Sequence, residues 1–225
     1  MINMAMSVDG KVSSIAREPT TFTSREDKQR LLEIRSRCDA LVVGAKTAIN
    51  YQSMGISNPK LRMERLCRGQ TEHPIRVIIS GRLTISTHLP VFHAPISPIL
   101  IVCCESAPHS CRTKFSHLGR LIVCGHHEVN IRRLITLLAT EYHARTILCE
   151  GGPTLNDAFF RSGMVNGLYL TLCPRIVGGE TAPTLADGMG VSYLKDAAKA
   201  RLVACRRGKT EWFLQYRFLP KKPLT

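Results

Sequence analysis

The chain has 225 residues, 44% of them hydrophobic and 21% charged, with a formal net charge of +14. That length can bury a sizeable core without staples, as one large domain or two small ones. No apolar run approaches the roughly 18 residues of a membrane span, and the opening MINMAMSVDGK lacks the basic and apolar regions of a secretory leader. The charge favours anionic ligands. Its densest segments, 60–68, 112–120 and 199–209, do not interleave aromatics as a single-strand-binding surface does, so a nucleic-acid partner is disfavoured.

Strand-like and helix-like patterns alternate along the chain. Ile2 to Ser7 reads as a strand ended by an Asp9-Gly10 turn. Ser24 precedes two acids, as a helix N-cap does, and Leu31, Ile34 and Cys38 follow at helical spacing. Ala40 to Val43 is a short buried strand running into Gly44-Ala-Lys-Thr47. Residues 51–74 are polar and show only a helix near Lys60 to Cys67. Arg76–Ile79, Ile99–Val102 and Leu121–Cys124 are further apolar strands. Ile131, Leu134, Ile135, Leu138 and Tyr142 form one helical face. Thr146 to Cys149 is a strand, and Leu155, Ala158 and Phe159 mark the next helix. Leu168 to Leu172 is strand-like, and Arg201–Cys205 with Trp212–Phe218 read as a hairpin around Gly208. Continuous apolar strands separated by amphipathic helices predict an α/β fold, with a central mixed, mostly parallel sheet covered by helices on both faces and a C-terminal antiparallel hairpin. One domain over 1–219 and a flexible tail over 220–225 are expected.

Two strand ends carry chemistry-bearing residues, Gly44 to Thr47 and Glu150 to Thr154. Gly151-Gly152 ahead of a helix suits a phosphate, since free amides and the helix dipole favour negative charge there. A plain tight turn capped by Thr154 is the competing reading. Glu150 is either a ligand for hydroxyls or a solvated rim charge. Lys11 follows a turn and is either functional or a surface lysine. The nine cysteines are an odd number without a CxxC pair, which fits reduced thiols in a cytoplasmic protein. The Cys103-Cys104…His109…Cys111 and Cys124…His126-His127 groups lack metal-ligand spacing, so no metal is expected. No zinc-deaminase signature, GxSxG elbow, Walker loop or GxGxxG occurs.

Taken in order, Ser7-Val-Asp-Gly-Lys11, the Thr23-Ser24 helix start ending near Arg35, Asp39-Ala-Leu-Val-Val-Gly-Ala-Lys-Thr47, Asn58-Pro-Lys-Leu61, Glu150-Gly-Gly-Pro-Thr-Leu155, Leu168 to Pro174 and Gly178-Gly179 resemble the reductase domain of bacterial riboflavin biosynthesis and its stand-alone archaeal and fungal relatives. The resemblance spans residues 1–219 and implies a dihydrofolate reductase-like fold, a cytoplasmic homodimer, and reduction by NADPH of a ribosylamino-pyrimidinone 5′-phosphate to its ribitylamino form. It places the cofactor near Ala5, Thr47 and the turn formed by Gly151, Gly152, Pro153, Thr154 and Leu155. It places the substrate against Lys11, Arg35, Leu61 and Glu150, with Lys11 and Glu150 at the reacting sugar. Arg62 and Arg65 join Arg35 as candidates for clamping the substrate phosphate, and Ser80 with Arg82 for the cofactor's 2′-phosphate. Members carry a short segment with an aspartate before a proline after the threonine motif. Here 48–59 is longer and carries Asn50, Tyr51 and Asn58. A reductase of the same fold acting on a folate-like or pterin-like heterocycle is the alternative.

Overall fold

The computed structural model describes residues 1–19 and 22–219, so the expected tail over 220–225 lies outside the described residues. In chain order the elements are β1 (Ile2–Ser7), α1 (Arg25–Ser36), β2 (Ala40–Gly44), α2 (Ala45–Ala48), α3 (Pro59–Cys67), β3 (Ile75–Ile79), α4 (Pro90–His93), β4 (Ile99–Cys103), α5 (His109–Ser116), β5 (Arg120–Val123), α6 (Ile131–Glu141), β6 (Ile147–Cys149), α7 (Pro153–Ser162), β7 (Gly167–Cys173), a 3₁₀ turn (Leu194–Asp196), β8 (Ala200–Arg207) and β9 (Trp212–Phe218). Two compact units result, Met1–Arg30 with Glu150–Thr225, and Leu31–Cys149.

The second unit holds the strands β5-β4-β3-β2-β6, every neighbouring pair parallel. Ala40 to Val43 are fully buried and β4 is buried throughout, as continuous Val/Ile/Leu runs require when a strand is covered on both sides. Leu134 and Leu138 of α6 are likewise fully buried. Asp39 fixes the entry to β2. Its Oδ2 accepts the amides of Arg145 and Thr146, each at 2.9 Å, and its Oδ1 accepts Gln70 Nε2 at 2.7 Å. Arg76, 3% exposed, donates to the carbonyls of Ser53, Val91, Ala94 and Ser97, and burial lowers its pKa. A buried guanidinium is tolerated here because its fork meets backbone acceptors in several directions.

In the first unit, β1 lies parallel to β7, and β7, β9 and β8 follow as antiparallel neighbours. Strand pairing over the two units is therefore mixed and mostly parallel, with an antiparallel C-terminal pair, as predicted. Ser24 caps α1 as its sequence implies, Oγ accepting the Asp27 amide at 3.1 Å. The cap is itself held by Glu211, 4% exposed, which accepts Ser24 N at 2.7 Å and Ser24 Oγ at 2.5 Å. All eight residues of β8 are exposed. The segments the sequence pattern misses are α4, α5 and the 3₁₀ turn, each short and without an apolar period.

Candidate active site

Ala5, Lys11 and Glu150 to Leu155 belong to the first unit; Arg35, Thr47, Leu61, Arg62, Arg65, Ser80 and Arg82 belong to the second. In the first, the turn after β1 is built around Ser7, which is fully buried. Its hydroxyl donates to Asp9 Oδ1 at 2.5 Å and accepts the Lys11 amide at 2.9 Å. Gly10 sits at φ +81, which the Asp-Gly signal anticipates. Asp9 also accepts the amides of Val177 and Gly178, at 3.2 and 2.7 Å. The Ser7 hydroxyl, and after it the Gly178 amide, hold the Asp9 carboxyl down at about 2. Lys11 is half-buried, and its Nζ donates to Ala182 O at 3.0 Å.

Glu150 follows the last residue of β6 and is 7% exposed, so it is not a solvated rim charge. Gly151 has φ +78, and a Cβ there would come within 2.7 Å of Met4 Cε on β1. The turn therefore lies against the strand that carries Ala5, which is half-buried in register with Thr171. Gly152 is the N-cap of α7, with Pro153 at the first helical position and no side-chain cap. Thr154, the cap of the plain-turn reading, is exposed and does not fill that role. Leu155 is 8% exposed and packs inward. A helix start whose donors are left without a side-chain cap, approached through glycines, fits a cofactor phosphate.

In the second unit, Thr47 is half-buried in the single turn of α2. Arg35 stands in the last turn of α1, 7% exposed, with Nη1 donating to Gly55 O at 3.4 Å and the guanidinium 5.1 Å from the centre of the Tyr51 ring. The long 48–59 segment is thus a pinned loop. Met54 and Ile56 are each 1% exposed, and His73 Nδ1 accepts the Ile56 amide at 3.1 Å. Asn58, standing where an acid is expected, caps α3 by accepting Lys60 N at 2.9 Å. Leu61 is buried on α3. Arg62 donates to Ile56 O and pairs with Glu72 at 2.7 Å while remaining 30% exposed.

Arg65 is a correction. It is 1% exposed, with Nε on Thr71 O at 2.8 Å and Nη1 on Ser36 O and Cys38 O at 3.1 and 2.5 Å. Its donors pin backbone, so it is a framework residue rather than a phosphate clamp. Ser80 and Arg82 part company as well. Ser80 is 3% exposed, whereas Arg82 is exposed in the turn after β3.

The residues the sequence does not single out are Asn156 and the 182–188 loop. Asn156 is fully buried on α7, and its Nδ2 donates to Leu185 O at 2.8 Å. The available signal was a polar pair, Asn156-Asp157, inside an otherwise apolar helical stretch. Among the described residues no His, Cys, Asp and Glu group could hold a metal ion, and no helix is long and apolar enough to cross a membrane. The nine cysteines, all among the described residues, form no disulfide, and six of them are buried.

Residues 1–214 match the RibD C-terminal domain model. The 2,5-diamino-6-ribosylamino-4(3H)-pyrimidinone 5′-phosphate reductase of Methanothermobacter thermautotrophicus is 30% identical over 202 residues, 90% of this chain and 89% of that protein. The reductase of the same name from Aquifex aeolicus is 31% identical over 216 residues, 92% of each chain. A pyrimidine reductase-like protein of Corynebacterium diphtheriae has the same fold, with a TM-score of 0.85 at 21% identity over 98% of this chain and 91% of that one. The chain belongs to the RibD C-terminal domain family.

Proposed function

We propose that this chain is an NADPH-dependent oxidoreductase, a single reductase domain over 1–219, that converts a ribosylamino-pyrimidinone 5′-phosphate to the ribitylamino form in riboflavin biosynthesis. The carrying observation is the grouping, in one unit, of Lys11, a buried Glu150 and a glycine turn at an uncapped helix start. The substrates named for the two relatives of full matching length support the choice of substrate.

The reaction needs little covalent chemistry from the protein. The ribosylamine opens as its C1–O bond breaks, giving a C1=N imine and a free hydroxyl. C1 then takes up a hydride, which NADPH would supply when bound, and a proton on nitrogen completes the ribitylamine. In the first unit Gly151, Gly152, Thr154 and Leu155 would hold the cofactor phosphates, with Ala5 and Pro153 as further cofactor residues, and Thr47 is the cofactor residue of the second unit. Arg82, exposed after β3, meets the 2′-phosphate. Glu150 accepts the ribose hydroxyls and stabilises positive charge developing at the imine. Lys11 positions the sugar, and Arg35 with Arg62 takes the 5′-phosphate beside Leu61.

A cytoplasmic homodimer is part of the same proposal. Nine cysteines without a disulfide fit a reducing compartment. The wholly exposed β8, with Leu202 at 51% and the neighbouring Trp212 at 46%, offers an apolar face for a second copy. Sedimentation of the purified protein checks this.

The test of activity is loss of NADPH absorbance with the ribosylamino substrate, run beside NADH and dihydrofolate controls. Glu150→Gln and Lys11→Ala are expected to lower kcat by about 10²-fold with unchanged far-UV circular dichroism. Wild-type turnover in both variants would overturn the site.

A further inference from the structure

We infer that Asn156 is a positioning residue that sets Lys11 relative to the Gly151–Gly152 turn through the 182–188 loop. The inference rests on the reductase reading above. Lys11 and the turn belong to different strand ends, and the 182–188 loop touches both. On one side, Lys11 Nζ donates to Ala182 O at 3.0 Å, Val12 N donates to Pro183 O at 2.9 Å, and Lys11 and Thr184 form an antiparallel bridge. On the other, Asp187 N donates to Pro153 O at 3.2 Å, and Asn156 Nδ2 donates to Leu185 O at 2.8 Å. Between them the loop is stiffened by Thr184, whose hydroxyl donates to Asp187 Oδ1 at 2.6 Å.

Asn156 is the hub. It is fully buried, and an amide in that position costs stability unless it is bonded. Its own N–H donates to Gly152 O at 2.9 Å, and its side-chain amide lies against Gly151, where a Cβ would sit 3.5 Å from Nδ2. One residue therefore meets both glycines of the turn and the backbone of the loop that holds the lysine. The far end of the loop closes on the same helix. Gly188 lies so close to Asp157 that a Cβ would fall 2.0 Å from Oδ2, and Asp157 is anchored by Arg161 at 2.8 Å. The Ala182 carbonyl takes one of the three donors of the Lys11 ammonium and so orients the others. Moving the loop turns that ammonium. Hydride transfer depends on placement to within a fraction of an ångström, so a bond from α7 to Leu185 bears on the lysine as well as on the cofactor turn.

A double-mutant cycle on Asn156→Leu and Lys11→Ala tests this, with the acylation rate of Lys11 by an activated ester, read by peptide mass spectrometry on cofactor-free protein, as an independent measure. Leucine keeps the branching at Cγ and removes the donor. Asn156→Leu is expected to lower kcat by about tenfold, to lower it by clearly less in the Lys11→Ala background, and to speed acylation of Lys11 severalfold. Asp187→Asn, which loosens the loop without altering the interior of α7, is expected to give the same pattern and serves if the leucine variant does not fold. A merely structural role gives additive losses in kcat or leaves Lys11 acylation at the wild-type rate, and either result overturns the inference. Absence of NADPH turnover in the wild type would instead sink the reductase reading, and the acylation rates would still decide the coupling.

Discussion

Replacing Arg65 by methionine separates a framework arginine from a phosphate clamp. Arg65 donates three bonds at 2.5 to 3.1 Å to the carbonyls of Thr71, Ser36 and Cys38, and 1% of it is exposed. Ser36 O keeps its bond from Arg68 Nη2 at 2.6 Å in the variant, but Cys38 O and Thr71 O lose this donor. A hydrogen bond from a charged donor is worth about 1.5–3 kcal/mol, so losing the two costs about 3–6 kcal/mol. The apolar stem of methionine and relief from burying a guanidinium return part of this, about 1 kcal/mol, leaving a net loss of about 3 kcal/mol. For a chain of this size each kcal/mol moves Tm by about 2–4 °C, so a drop of about 6–12 °C is expected. Differential scanning calorimetry of Arg65→Met and Arg62→Met measures it, alongside KM for the phosphorylated substrate. Arg62, 30% exposed, is expected to show the reverse pattern, with Tm nearly unchanged and KM raised. An Arg65 variant with wild-type Tm and a KM raised by about tenfold or more would refute the framework assignment.

Three further outcomes follow from individual groups. Asp9 titrates at about 2 in the fold against an ordinary 3.8, so its contribution is present above 3.8 and disappears as pH falls through about 2; the Tm difference between wild type and Asp9→Asn, followed in acid, should close in that window. Burial lowers the pKa of His73 below its ordinary 6.5, and Nδ1 must stay unprotonated to accept the Ile56 amide. Its contribution is therefore present above 6.5 and lost as pH falls below, so His73→Gln, which keeps an acceptor, should flatten the Tm-versus-pH curve there. Arg82→Ser is expected to raise KM for NADPH by about tenfold and leave KM for NADH unchanged; equal effects on both cofactors would free Arg82 of the 2′-phosphate.

How far the sequence can be read depends on whether a signal is periodic or relational. Strands such as Ala40–Gly44 and Ile99–Cys103 are buried on both sides, so their apolar runs announce them directly. Capped helices are equally plain, as Ser24 shows. The 48–59 segment has no period because side chains far along the chain hold it, Arg76 on Ser53 O and His73 on Ile56 N among them. The same limit applies to the basic residues. Arg35, Arg62, Arg65, Arg76 and Arg82 look alike in sequence, yet the structure buries three of them, Arg35, Arg65 and Arg76, with donors on backbone carbonyls and leaves Arg82 in solvent. A net charge of +14 is thus a poor guide to a binding surface, since part of it never reaches one.

Glycine turns pose a harder problem, because packing and ligand approach ask for the same residue. Gly151 is explained without any ligand: its φ is +78, and a Cβ would press on Met4 Cε. Gly151→Ala would harm the fold under either reading and so decides nothing. Gly152 does decide, because its φ of −74 and ψ of −167 are open to any residue, and it occupies an N-cap that lacks a side-chain bond. An aspartate there can cap α7 and adds a favourable charge at the positive end of the helix, so Gly152→Asp should hold or raise Tm by about 1–2 °C. A tight turn with no ligand gains from that change. A phosphate seat gains a carboxylate where the phosphate must lie, so NADPH affinity should fall by about 10²-fold. Gly152→Ala, which adds a Cβ without charge or cap, shows how much of the fall is steric. Fluorescence titration with NADPH beside thermal melts of the two variants reads both quantities. A stabilised Gly152→Asp that still binds NADPH as the wild type does would leave the glycines as a turn and move the phosphates elsewhere.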